Sequence, residues 1–180
     1  MIYKALTILL FAASASLCAD QIESTATTIF TPKGSDVVND NKLIVQRYYK
    51  AFQEDNTTEL LKTLSPKYGV VNANAIYDSS FYLHPSMSKN QKVRCQAMHD
   101  AFPDLSIQVM ELIAEKNRVF AYVSYSGTQK GPFLGIEPTG KPVQIRQFAI
   151  FSIQNNRIVH ITEMDNEFSV MEQLGYVLLK

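Results

Sequence analysis

The chain has 180 residues, with 17 basic and 17 acidic side chains and no net charge, so it carries no excess of positive charge to bind nucleic acid. A single domain of this length buries a substantial core, and there is no internal repeat or long charge run to suggest an array or a solvated tail. Two cysteines and three histidines are too few for a disulfide framework or a cysteine- and histidine-rich metal cluster.

Residues 1–19 have the form of a secretory signal. Lys4 supplies the positive start, Ala5 to Ala13 a short apolar run, and Leu17-Cys18-Ala19 a small-residue cleavage site before Asp20. The apolar run is too short to span a bilayer, and Leu17 before Cys18 argues against lipid attachment. The expected product is an exported bacterial protein, periplasmic or secreted, of 161 of the 180 residues, with Cys95 its sole cysteine and hence no internal disulfide. Residues 20–38, rich in Ser and Thr with Pro32 and Gly34, read as a loosely ordered leader, and 39–180 as one domain.

A first helix is predicted over Asn39–Gln53, capped by Asn39, Asp40 or Asn41, with Ile44, Val45, Tyr48, Ala51 and Phe52 at helical spacing. Asn56-Thr57-Thr58-Glu59 has capping-box spacing and starts a second helix that Pro66 stops. Residues 67–87 are poorly patterned; Ser80–His84 reads as an irregular strand. A third helix follows, with Ser88 and Gln91 as its capping box and Val93, Ala97, Met98, Ala101 and Phe102 as its buried stripe. His99 lies at the edge of that stripe, a satisfied histidine by default and a catalytic one as the sharper alternative. His84, His99 and His160 show neither HxH nor HxxxH spacing, so no metal is expected, and Cys95 reads as a small buried hydrophobe.

From Asp104 to Asn166 the pattern changes to period two, giving four antiparallel strands. The third, Val143 to Ile153, is apolar on both parities and needs an apolar partner on each side. Asn155-Asn156 suits a two-residue hairpin, since Asn tolerates positive φ. A regular hairpin there sets Ile153 opposite Ile158, Phe151 opposite His160, Phe148 opposite Glu163 and Arg146 opposite Asp165. Phe148, Ile150, Ile161, Glu163, Arg146 and Asp165 would then share one face, an apolar floor with charged groups at its end. The bland alternative is a rim salt bridge between Arg146 and Asp165. The predicted cavity lining is Tyr48, Phe52, Met98, Arg146, Phe148 and Ile150. Gly131-Pro132-Phe133-Leu134-Gly135 with Pro138-Thr139-Gly140 is turn chemistry joining strands two and three, placed to lie over the mouth of a cavity.

Several of these segments have a family likeness. Ala101-Phe102-Pro103-Asp104-Leu105, Leu112-Ile113-Ala114-Glu115, Gly131-Pro132-Phe133-Leu134-Gly135-Ile136, Pro138-Thr139-Gly140-Lys141-Pro142-Val143 and Glu172-Gln173-Leu174-Gly175 resemble the SnoaL-like polyketide cyclase family, over about Leu43 to Gly175. The resemblance implies an α+β, cone-shaped cystatin-like or nuclear transport factor 2-like fold, with N-terminal helices packed on a curved antiparallel sheet. It implies cofactor-free acid/base chemistry on a small apolar carbonyl compound, with an Asp as general acid/base. Counting back from Gln173 puts Asn166 in that Asp's slot, and His160 and Thr162 replace the family's usual Glu and Trp. An amide cannot transfer the proton, so any catalysis falls to Asp165 or Glu163. A non-catalytic ligand binder and a homodimer built through the open sheet face are the alternatives.

Overall fold

The computed structural model describes residues 33–72 and 90–175. Apart from Lys33, these fall in one of two compact units, Gly34–Lys180. The export signal, the Ser80–His84 strand and the Ser88 cap lie outside the described residues.

Helix α1 spans Lys33–Gln53 and therefore starts six residues before the expected Asn39. Asn41 is not a cap but a buried residue within the helix, donating from Nδ2 to the Lys116 carbonyl at 2.9 Å. Helix α2, Thr57–Thr63, starts as its sequence demands: the Asn56 side chain accepts from the Glu59 amide at 3.1 Å. It runs directly into strand β1, Leu64–Asn72. Helix α3, Gln91–Ala101, is capped by Asn90, whose side chain accepts from the Lys92 amide, so Gln91 is the first helical residue and not the third. Its buried face is Gln91, Arg94, Cys95, Met98 and Ala101, whereas Val93 is exposed. Of the predicted stripe, Met98, Ala101 and Phe102 are buried and Ala97 half-buried, while Arg94 takes the inward place expected of Val93.

Strands β2 (Ser106–Glu115), β3 (Arg118–Thr128), β4 (Pro142–Gln154) and β5 (Arg157–Asp165) form the expected meander, and α4 (Glu167–Leu174) ends it. The sheet order is β1-β5-β4-β3-β2, and β1 runs parallel to β5, so the sheet is mixed and not wholly antiparallel. Strand β4 alternates strictly, with Val143, Ile145, Gln147, Ala149, Phe151 and Ile153 buried on one face. Tyr48 and Tyr49 of α1 stack edge-on against Phe151, at 5.5 and 5.6 Å between ring centroids, which fixes the helix over that face.

The β4–β5 hairpin has its two-residue turn at Asn155 and Asn156, both at positive φ, and Ile153 pairs with Ile158 as predicted. Beyond that pair a bulge at Val159 intervenes, because Ser152 pairs with His160. Every later pair moves by one: Phe151 faces Ile161, Phe148 faces Met164, and Gln147 faces Asp165. The expected pairings of Phe151 with His160, Phe148 with Glu163 and Arg146 with Asp165 are therefore incorrect. The physical reason is that Ile158 and Ile161, three apart, are both buried. A regular strand puts residues three apart on opposite faces, and one extra residue puts both inside.

Candidate functional site

The bulge decides which side chains meet beneath the helices. Glu163 and Asp165 turn to the same face as Gln147, Ala149 and Phe151, while Arg146, Phe148 and Ile150 turn away. Phe148 is 48% exposed and Ile150 41%, so neither lines the cavity beneath the helices, contrary to expectation, and Arg146 is on the same outer face. Phe52 and Met98 do line it. Tyr48 does not: it is buried in the core, its hydroxyl donating to Gln91 Oε1 at 2.9 Å.

The cavity is walled by Phe52, Met98, Tyr125, Ile145 and Val170, with Phe133 and Leu134 contributed by the β3–β4 loop. About 30 Å³ is open to the centre of a water molecule, room for one or two waters. Its polar groups are Arg94, Gln147, Asp165 and Glu167. The loop is held by Gln129, a fully buried side chain whose Nε2 donates to the Ile136 carbonyl at 3.0 Å and whose Oε1 accepts from Thr139 Oγ1 at 2.7 Å.

Arg94 forms a buried ion pair with Glu163. Burial works against the Arg94 charge, but the facing carboxylates of Glu163 and Asp165 outweigh it and keep the guanidinium ionised. The other oxygen of Glu163 accepts from Gln147 Nε2 at 3.3 Å, and Gln147 Oε1 accepts from the hydroxyls of Tyr49 (3.1 Å) and Tyr125 (3.0 Å). Burial raises the pKa of both tyrosines, which keeps them neutral donors and fixes the orientation of the amide. Glu163 is thus held between two partners. For Asp165, burial and then the neighbouring Glu163 charge push the pKa up to about 7, against the opposing pull of Arg94 and a hydrogen bond with the Gln147 side chain. A carboxyl at that value holds and releases a proton equally well at neutral pH.

Asn166 is outside this arrangement. Its side chain accepts from the Arg146 amide at 2.6 Å, its own amide donates to the Arg146 carbonyl at 3.1 Å, and it starts α4. His99 is also elsewhere, its Nε2 bonded at 2.8 Å to the Phe52 carbonyl. Of the four residues considered for catalysis, then, Glu163 and Asp165 come together and Asn166 and His99 do not join them.

Arg94 and Gln147 were missed in the sequence. Gln147 was visible, as the one polar residue in the buried parity Val143, Ile145, Ala149, Phe151, Ile153. Arg94 carried no such mark, because Val93 beside it is the more natural inward residue.

The fold is shared with solved structures of low identity. AclR of Streptomyces galilaeus superposes with a TM-score of 0.65 at 20% identity, over 78% of this chain and 99% of that one. A SnoaL-like protein from Jannaschia sp. CCS1 gives 0.64 at 18%, over 79% and 96%. IdmH of Streptomyces antibioticus gives 0.61 at 20%, over 75% and 98%. No curated protein matches the sequence. The family profile of the SnoaL-like polyketide cyclases matches residues 42–174, which takes in both the Arg94–Glu163 pair and Asp165, and the chain belongs to that family.

Proposed function

We propose that the protein is a cofactor-independent cyclase or isomerase acting at carbon α to a ketone, with Asp165 as general acid/base. The observation that carries this reading is geometric: the Asp165 carboxyl lines an apolar cavity beside the fixed Arg94–Glu163 pair, where burial raises its pKa. Asp165 takes the proton from carbon α, and Arg94 offsets the negative charge that develops on the carbonyl oxygen. In an aldol closure the new carbon–carbon bond forms and Asp165 returns the same proton to the alkoxide, so no other reagent is consumed. In an isomerisation the proton returns to a different carbon. Glu163 and Gln147 are positioning residues that hold Arg94 and the floor of the site. A ligand larger than water requires the cavity walls to move, and the β3–β4 loop contributes two of them, Phe133 and Leu134.

The test is turnover of a panel of β-diketone and polyketide-like substrates. Asp165→Asn is expected to lower kcat about 10²–10⁴-fold, and the wild-type pH–rate profile to bend near 7. An active wild type whose rate is unmoved by Asp165→Asn excludes this assignment. If no substrate turns over but a small ketone still binds, the reading becomes that of a ligand carrier. Activity gained from Asn166→Asp would instead mark residue 166 as a vacated catalytic position.

A second reading concerns association. Ile113, Phe120, Tyr122, Phe148, Ile150 and Met164 share the outer sheet face, with Phe148 stacked between Phe120 and Tyr122 at 6.1 and 4.9 Å. We propose that a second copy covers this apolar face. We also propose export through residues 1–19, for which mass spectrometry of the exported protein should find Asp20 at its N-terminus.

A further inference from the structure

Helix α1 ends against α3 in a small cluster that the site above does not use. Cys95 and His99 stand at positions i and i+4 of α3 and so present their donor atoms on one side of the helix. Asp55, in the turn after α1 with φ +50, faces them. One donor atom from each of the three lies within 4.8 Å of the others. Cys95 Sγ is 3.6 Å from Asp55 Oδ1 and 3.5 Å from the Phe52 carbonyl oxygen, and His99 Nε2 is 2.8 Å from that oxygen. Two oxygens, one sulfur and one nitrogen therefore converge from two helices and the turn between α1 and α2.

We propose that Asp55, Cys95 and His99 form a binding site for a divalent transition ion of the zinc type, with the Phe52 carbonyl or a water as fourth ligand. Zinc–sulfur bonds of about 2.3 Å and zinc–nitrogen or zinc–oxygen bonds of about 2.0 Å in a tetrahedron set ligand atoms roughly 3.3–3.6 Å apart. The two sulfur–oxygen distances already have these lengths, the nitrogen–oxygen one has to open by about half an ångström, and the His99 donor, within 4.8 Å of the other two side-chain donors, has to close on them. The donor set is chemically suitable: thiolate and imidazole select zinc over magnesium or calcium, and one thiolate with one carboxylate neutralises the ion. Cys95 is fully buried, His99 partly so and Asp55 exposed, so the ion enters from the Asp55 side.

Without a metal, Cys95 is a buried thiol whose S–H donates to the Phe52 carbonyl. A metal takes the thiolate, so binding displaces the Cys95 proton to solvent. One proton is released per ion. The ion would fasten the α1–α2 turn to α3, the helix that also carries Arg94 and Met98.

The test uses the untagged full chain, stripped with chelator and titrated with Co²⁺ and then Zn²⁺. The expected result is one equivalent bound, with a thiolate-to-cobalt charge-transfer band, the visible bands of tetrahedral Co²⁺, one proton released, and a rise in Tm with Zn²⁺. Cys18→Ser should keep the band, Cys95→Ser should abolish it, and Asp55→Asn, an exposed substitution that leaves the core intact, should weaken binding tenfold or more. A band that survives Cys95→Ser, or is lost with Cys18→Ser, overturns the proposal. So does the absence of any band and any Zn²⁺-dependent Tm shift in the folded wild type, which would leave the cluster as a hydrogen-bonded cap on the end of α1.

Discussion

Arg94 is the residue on which the site's charges depend. It neutralises Glu163 directly and limits how far Asp165 is raised. Removing one member of a buried ion pair leaves the other uncompensated, typically at about 3–5 kcal/mol, whereas replacing both by apolar groups of similar volume is often tolerated. Arg94→Met is therefore expected to destabilise the protein by about that amount, and Arg94→Met with Glu163→Leu to recover much of it. Urea unfolding of the two single variants and the double variant measures this; if the losses simply add, the pair is not coupled. The same variants separate fold from chemistry, because the double variant keeps the core but removes the cation beside Asp165. A smaller effect belongs to Gly131, where a Cβ would lie 2.4 Å from the Asp100 carbonyl oxygen, a backbone atom. Gly131→Ala should lower Tm and loosen the loop that carries Phe133 and Leu134, as seen by faster amide exchange over 129–141.

At the scale of elements, β4 does two jobs with its two parities. Its inner residues carry Gln147 among apolar neighbours, and its outer residues give Phe148 and Ile150 to the exposed stripe. Phe148→Glu puts a charge in the middle of that stripe without touching the cavity. If a second copy covers the face, the variant should sediment as a monomer at concentrations where wild type is dimeric, with Tm falling to the monomer's value. A wild type that is itself monomeric up to high concentration removes this association. The strands were legible because period two is strong over ten or more residues, and the hairpin because Asn-Asn is a turn signal. The face on which the carboxylates emerge was not, since one bulged residue reverses it and Val159 carries no turn chemistry. The hint that did exist was Ile158 and Ile161, whose separation of three is incompatible with a regular half-buried strand. Helix α3 failed differently: its buried face includes Gln91 and Arg94, which become inward residues only because Tyr48 and Glu163 wait for them on other elements. No local pattern records such a partner. The parallel strand β1 was hidden for a similar reason, as its pairing with β5 links residues about ninety positions apart.

For the whole molecule, one buried carboxyl ties stability to pH in a direction opposite to the usual one. Most carboxylates in folded proteins are stabilised in the charged form; Asp104, held low by hydrogen bonds from the Thr128 amide and hydroxyl, is an example here. Asp165 is raised from an ordinary value near 4 to about 7. Because its folded pKa is above the unfolded one, the folded state binds the proton more tightly. Its contribution is fully present below about pH 4 and is lost as pH rises through 7, where the charge must be carried in the cavity. Asp165→Asn keeps the shape without the ionisation. Subtracting its unfolding free energy from that of wild type at each pH cancels the titrating groups that do not interact with Asp165, and leaves the titration of Asp165 with its coupling to Glu163. The difference is expected to shift against wild type by about 2–4 kcal/mol between pH 4 and 8, with most of the change between 4 and 7. Urea unfolding across that range supplies the curve. Parallel profiles would mean that Asp165 is solvated and ionised throughout, and the acid/base role would lose its physical basis along with the stability effect. A displaced profile with its upper bend near that of the pH–rate curve would assign both to the same carboxyl, because a group that is costly to ionise in the fold is the one able to pass a proton at neutral pH.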